Sequence, residues 1–216
     1  IIAVASGKGG VGKSTVAVNL AAALAAAGQR TGILDADIYG PSIPRMLGIS
    51  QKPQLGADKK IIPPVVQGLK AMSIGLMVDA ENALIWRGPM VQGAIVQLLR
   101  DVDWGDLDYL IIDMPPGTGD AQLTLAQQVK LAGAIIVSTP QDIALIDARK
   151  AVAMFNKVNV TILGVVENMS VFHCPNCGHA THIFGAGGAK AEAEKMGVPF
   201  LAELPLLADV RALSDA

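Results

Sequence analysis

The chain has 216 residues, 51% of them hydrophobic, which is enough for one globular domain with a substantial core. Its 17 basic and 19 acidic residues leave a net charge of -2, and aromatic residues make up only 4%, so neither a basic surface nor a set of stacking platforms marks a nucleic-acid partner. Two cysteines, no secretory leader pattern and no apolar run near the roughly 20 residues that span a bilayer point to a cytoplasmic protein without a membrane partner.

Along the chain, short apolar runs alternate with longer helical segments. Strands are expected near 1–5, 31–35, 70–75, 108–113, 134–138, 160–166 and 199–203, and helices near 14–27, 89–101, 121–130, 142–157 and 187–197. Runs such as "YLIID" and "GAIIVST" are continuously apolar rather than alternating, the pattern of strands buried on both faces. The expected fold class is α/β: a doubly wound, mostly parallel sheet with helices on both faces. Residues 48–69, with Gly48, Pro53, Gly56, Pro63 and Pro64, read as an irregular excursion. The chain opens inside a strand-like run without an initiator Met and stops at Ala216 without a terminating signal. Residues 1–216 are therefore expected to be a single domain with truncated ends.

Between the first strand and the first helix lies "GKGGVGKST", formed by Gly7, Lys8, Gly9, Gly10, Val11, Gly12, Lys13, Ser14 and Thr15. It satisfies GxxxxGK[ST] in the strand–loop–helix setting that this phosphate loop requires. Glycines let successive N–H groups turn inward toward phosphate oxygens, and the helix that starts near Lys13 adds the positive end of its dipole. Lys13 is expected to pair with the β- and γ-phosphates, and the Ser14 hydroxyl to coordinate Mg²⁺. Lys8 is a second cation on the same loop.

After the second strand, "LDADIYGPS" supplies Asp35 and Asp37 at the crevice end of the sheet. A carboxylate there holds Mg²⁺ through water or orients an attacking water, while capping or turn formation is the plain alternative for Asp35. "YLIIDMPPGTGD" ends a strand on Asp113, a Walker B carboxylate near Mg²⁺. The loop that follows begins rigidly at Pro115 and Pro116 and becomes permissive at Gly117 and Gly119. No guanine-reading NKxD run follows a strand. Asn168, expected at a strand end in "VVENMS", carries an amide able to read a purine edge or simply to form a turn. The sum is nucleotide binding with slow hydrolysis.

"HCPNCGH" (173–179) holds both cysteines, Cys174 and Cys177, which make only half of a tetrahedral shell. A CPxCG knuckle is a zinc half-site, and a symmetric dimer could hold one Zn²⁺ by four thiolates, two from each chain. A redox pair fits less well because the motif does not open a helix, and two unligated loop thiols remain the plain reading. His173, His179 and His182 lie too close to the cysteines for the usual separation between ligand pairs and read as exposed loop residues. Trp86 and Trp104 read as packing.

Two resemblances sharpen these readings. "KGGVGKST" resembles the deviant Walker A of the MinD, ParA and nitrogenase-iron-protein class of ATPases. That resemblance implies that Lys8 acts across a dimer interface, that Asp37 positions the hydrolytic water with Asp35 supporting it, and that Asn168 and the backbone around Pro205 line an adenine pocket. "WRGPM" (86–90), "DVDWGDLDYLIIDMPPGTGDAQLTL" (101–125), "STPQDIALIDARKA" (138–151) and "GVVENMSVFHCPNCG" (164–178) closely resemble the Mrp family of iron–sulfur cluster carrier ATPases. This second resemblance implies a homodimer that uses ATP and Mg²⁺ and holds one [4Fe–4S] cluster on Cys174 and Cys177 of both subunits. A cluster scaffold would load it and apo iron–sulfur proteins would receive the cluster. The competing readings are a MinD- or ParA-like regulator, which needs a membrane helix or a basic face for DNA, and a zinc-stapled dimeric ATPase.

Overall fold

The computed structural model describes residues 1–77 and 88–210, so the Trp86 and Arg87 of "WRGPM" lie outside the described residues. In chain order the elements are β1 (Ile2–Ala5), α1 (Lys13–Ala26), β2 (Thr31–Asp35), α2 (Ile43–Met46), β3 (Gln54–Leu55), β4 (Ile61–Ile62), β5 (Val65–Val66) and β6 (Leu69–Ser73). They continue with α3 (Gly88–Asp101), β7 (Tyr109–Asp113), α4 (Asp120–Gln128), β8 (Gly133–Ser138), α5 (Asp142–Lys157), β9 (Ile162–His173), β10 (Ala180–Thr181), α6 (Gly188–Met196) and β11 (Phe200–Leu206).

Among the described residues nine strands form one sheet in the order β10-β9-β8-β1-β7-β2-β6-β5, with β11 also paired to β9. The pairings among β11, β9, β8, β1, β7, β2 and β6 are all parallel, and only the short β10 and β5 run antiparallel to their neighbours. This is the α/β architecture expected from the continuous apolar runs. Successive residues of one strand enter different cores: Val4, Ile33 and Ile111 pack with Val16, Ala17 and Ala21 of α1, whereas Ala3, Leu34 and Ile112 pack with residues of α3, α4, α5 and α6. A strand covered on both faces has no solvent side, so its sequence has no reason to alternate. Phe155 of α5 and Ile33, Leu34, Ile111 and Ile112 are fully buried, each contributing about 1.5–3 kcal/mol relative to exposure.

Two elements differ from expectation. Residues 48–69 are not wholly irregular, since β3 and β4 form an antiparallel pair there and β5 adds to the edge of the main sheet. More consequentially, β9 does not end near residue 166 but runs for 12 residues to His173. Asn168 therefore lies within a strand rather than at its end. The cause is β11: where β8 stops, at Ser138 opposite Glu167, β11 continues alongside as far as Leu206 opposite Phe172 and supplies ladder partners. The polar residues Asn168 and Ser170 hide this extension from a hydrophobicity pattern. Among the described residues no helix is long and apolar enough to cross a membrane.

Candidate functional site

The carboxyl ends of β1, β2 and β7 meet at one crevice, where Val4 and Asp35 both stand opposite Asp113 in the ladders. The glycine-rich loop leaves β1 here and wraps toward the start of α1. Gly12 takes a left-handed backbone, φ 82°, immediately before the helix, a conformation that suits glycine. Gly7 is needed for a different reason: a Cβ on it would sit 2.0 Å from the Asp147 carbonyl oxygen of α5. On the other side of the loop, the Asn168 amide donates to the Val11 carbonyl at 2.9 Å, and a Cβ on Gly12 would fall 2.1 Å from that amide nitrogen. The Ser6 hydroxyl donates to the Lys8 carbonyl at 2.8 Å.

Inside the crevice, the buried Lys13 ammonium contacts Asp113 Oδ1 at 2.5 Å and donates to Ser14 Oγ at 3.2 Å. Burial pushes the Asp113 carboxyl up, and the Lys13 charge pulls it back. Its other oxygen, Oδ2, is buried and has no hydrogen-bond partner among the described residues. A buried orphan oxygen beside a serine hydroxyl is a hard-oxygen donor set, and it fits Mg²⁺ held through Ser14 and, by way of water, Asp113. Asp35 has a different character. Its Oδ1 accepts from the Asp37 N–H at 3.1 Å, while Oδ2 accepts from the Ile43 N–H and the Ser73 hydroxyl, both at 3.2 Å. Burial first, then the neighbouring Asp113 charge, pushes the Asp35 carboxyl up to about 7. Asp37 is half-buried, raised by burial and opposed by Lys13. Asp35 thus organises the loop that presents the more open Asp37.

Asn168 and Pro205 come together in a cavity of about 480 Å³ that Gly12, Thr15, Arg45 and Met169 also line. The Asn168 N–H₂, however, is engaged by the Val11 carbonyl, so this side chain fastens the phosphate loop to β9. Pro205 lies inside the edge strand β11, where a missing N–H donor is tolerated and the register with β9 shifts. A larger cavity, about 740 Å³, lies at the opposite end of the sheet around Trp104, Leu107 and the start of β1.

The cysteines follow β9 directly. Cys174 is half-buried and Cys177 exposed. Their turn is closed by the Gly178 N–H donating to the Cys174 carbonyl at 2.8 Å and by the Cys174 N–H donating to the His179 carbonyl at 3.0 Å. Backbone N–H groups of Asn176 and then Cys177 lower the Cys174 thiol, which favours the thiolate that metals bind. Among the described residues no three of His, Cys, Asp or Glu gather to hold a metal. His182 is held to β9, its Nδ1–H donating to the Ser170 carbonyl at 2.8 Å.

The sequence profile described as ParA, NUBPL iron-transfer P-loop NTPase, matches residues 1–216. The chain belongs to this family. Within it, the iron–sulfur cluster carrier protein of Pseudomonas fragi is 58% identical over 217 residues, covering all of this chain and 76% of that protein. The iron–sulfur cluster carrier protein of Escherichia coli K12 is 58% identical over 98% of this chain, but the match spans only 58% of its length. Among solved structures, a nucleotide-binding protein of Archaeoglobus fulgidus in complex with ADP superposes with a TM-score of 0.87 at 45% identity, covering 99% of this chain and 84% of that one. MinD of Pyrococcus furiosus, 24% identical with a TM-score of 0.71, shares the fold.

Two buried polar side chains near the crevice and β9 escaped the sequence reading. Gln122 of α4 is buried behind the loop that follows Asp113, where its amide donates to the Pro115 carbonyl and, at 3.5 Å, to that of Ser6. Glu167 is fully buried and accepts from the N–H groups of Gly187 at 3.3 Å and Ala189 at 2.7 Å, capping α6. The available signal was a polar residue on an otherwise apolar face, in "AQLTLA" and "GVVEN" respectively.

Proposed function

We propose that this chain is an ATP-dependent iron–sulfur carrier that works as a homodimer and hands a [4Fe–4S] cluster to apo-proteins after taking it from a scaffold. One observation carries the reading. A phosphate loop with a buried Lys13–Asp113 pair stands in the same chain as an exposed turn that supplies two thiolates, about which no third His, Cys, Asp or Glu gathers among the described residues. The names of the Pseudomonas and Escherichia relatives support the cargo, and the ADP complex of the Archaeoglobus relative supports the nucleotide.

In this reading the N–H groups from Gly7 to Thr15 cradle the phosphates, and Lys13 turns from Asp113 to the β- and γ-oxygens. Bound Mg²⁺ would neutralise developing phosphate charge, held by Ser14 and, through water, by Asp113. Asp37 orients the attacking water. Lys8 reaches the partner's nucleotide, and Asn168 and Pro205 border the adenine. Cys174 and Cys177 of each subunit complete the four-thiolate shell.

The test is anaerobic reconstitution with iron and sulfide, beside a Cys174→Ala, Cys177→Ala double variant. About four iron and four sulfide per dimer are expected, absent from the double variant and transferable to an apo-acceptor. Tight zinc in the same thiolates and no cluster would instead support the zinc-stapled ATPase.

A further inference from the structure

Strand β9 touches both halves of this molecule. At Asn168 it holds the Val11 carbonyl of the phosphate loop, and the Met169 methyl lies 3.8 Å from the position a Cβ would take on Gly12. Five residues beyond Met169 the same chain reaches Cys174. The extended stretch from Asn168 to Cys174 covers about 20 Å.

The backbone between these points is not regular. Met169 adopts a left-handed conformation, φ 59°, inside a strand. For a residue with a Cβ this conformation is strained. The ladder slips at the same place: Leu204 faces Asn168, but Leu206 faces Phe172, so two steps of β11 span four of β9. Upstream the strand is fixed, because Glu167 is buried and caps α6 with both carboxylate oxygens. A fixed point, a strained residue and a slipped register therefore follow one another along the strand, beside the cavity that Met169 and Pro205 line.

Downstream, two links tie the cysteine turn to the strand. Phe172 and His173 pair with Thr181 and Ala180 of β10, and the Cys174 N–H donates to the His179 carbonyl. His182 then donates from Nδ1 to the Ser170 carbonyl, one residue past Met169. A carbonyl only accepts, so the proton is on Nδ1. This bond ties the segment after β10 to β9 next to the strained residue.

We propose that Met169 is a hinge and His182 a positioning residue through which occupancy of the nucleotide cavity changes how Cys174 and Cys177 are presented. A ligand in the cavity presses on Met169 and on the loop that Asn168 holds. The strand responds at its strained residue because Glu167 prevents a response upstream, and His182 carries the change to the turn. Linkage makes the effect reciprocal, so occupation of the thiols must alter nucleotide affinity by the same factor. The inference deepens the carrier reading and rests on it for its purpose, but its test uses no cluster.

The reduced, cluster-free chain is alkylated with iodoacetamide, and the rate at each cysteine is followed by mass spectrometry. The comparison is between no nucleotide, saturating MgADP and a saturating non-hydrolysable ATP analogue. Rates are expected to differ about fivefold or more between states, the ordinary size of a coupling between sites. His182→Ala should abolish the difference at unchanged nucleotide affinity. His182→Asn, whose amide can replace the Nδ1 donor, should restore it, and Met169→Gly, free of strain at positive φ, should shrink it. Equal rates in all three states of the native chain overturn the inference, as does a full difference in His182→Ala. If His182→Ala does not fold, the native chain decides: nucleotide affinity must change on alkylation of both thiols, and equal affinities overturn the proposal. A chain with nucleotide-dependent thiols that takes up no iron and sulfide would keep this inference and lose the carrier reading.

Discussion

Three aspartates at the crevice differ in what surrounds them. Asp113 faces Lys13 across 2.5 Å, Asp37 is half open, and Asp35 is enclosed with three hydrogen-bond donors. The ordinary Asp35 value is 3.8 and the folded one about 7, so between these limits the folded chain keeps a proton that the unfolded chain has released. The sign follows from the proton count. Stability from this group is complete below the unfolded value and is lost as pH rises through about 7. In the nucleotide-free chain, denaturant unfolding should lose about 2 kcal/mol between about pH 5 and pH 7.5. Asp37 and Asp113 are shifted in the same direction and add to the slope. Asp35→Asn should flatten it, and an unchanged slope would move its origin elsewhere. That Asp35 and Asp113 each end a strand was legible in the sequence; that they stand opposite one another was not. Nor was the protonation of Asp35, because burial depends on what α2 and β6 bring to it through Ile43 and Ser73.

At the scale of elements, the seven long strands and their helices could be read because strands buried on both faces and amphipathic helices leave different periods. The second half of β9 could not, because it is held by β11 rather than by its own hydrophobicity. The bond Asn168 makes was invisible as well: nothing in "VVENMS" says that Val11, 157 residues away, is its acceptor. Gly7 poses a similar problem. As a sequence letter it belongs to the phosphate motif, whereas in the fold it is where β1's exit packs against the α5 backbone. A side chain there meets carbonyl atoms at 2.0–2.1 Å that are backbone and cannot rotate aside. Gly7→Ala should therefore destabilise the chain by more than about 2 kcal/mol, besides weakening nucleotide binding. Thermal and denaturant unfolding without nucleotide check this, and a fully stable variant would show that α5 can retreat.

For the whole molecule, the phosphate loop and the cysteine turn occupy different places along one sheet. The phosphate loop sits at the centre, between β1 and α1, and the cysteine turn lies beyond the end of β9 near the sheet's edge. Cys177 is exposed and Cys174 half-buried, so a second chain can approach the pair without disturbing the core. The metal-free chain of 22.3 kDa should gain mass to that of a dimer when four thiolates are satisfied by cluster or zinc. Light scattering with and without metal measures this, and the Cys174→Ala, Cys177→Ala variant should lose the metal-dependent gain.

The contact between Gly7 and Asp147 also bears on descent. A lineage that abandoned nucleotide chemistry would release Lys13 and Ser14 from selection, and those positions could drift. Gly7 would not be released with them, because its neighbour is the protein's own main chain rather than a phosphate. In such a lineage an invariant first glycine would record how two elements are packed and would be no sign of surviving activity. The residues that testify to activity are those whose partners come from outside the chain.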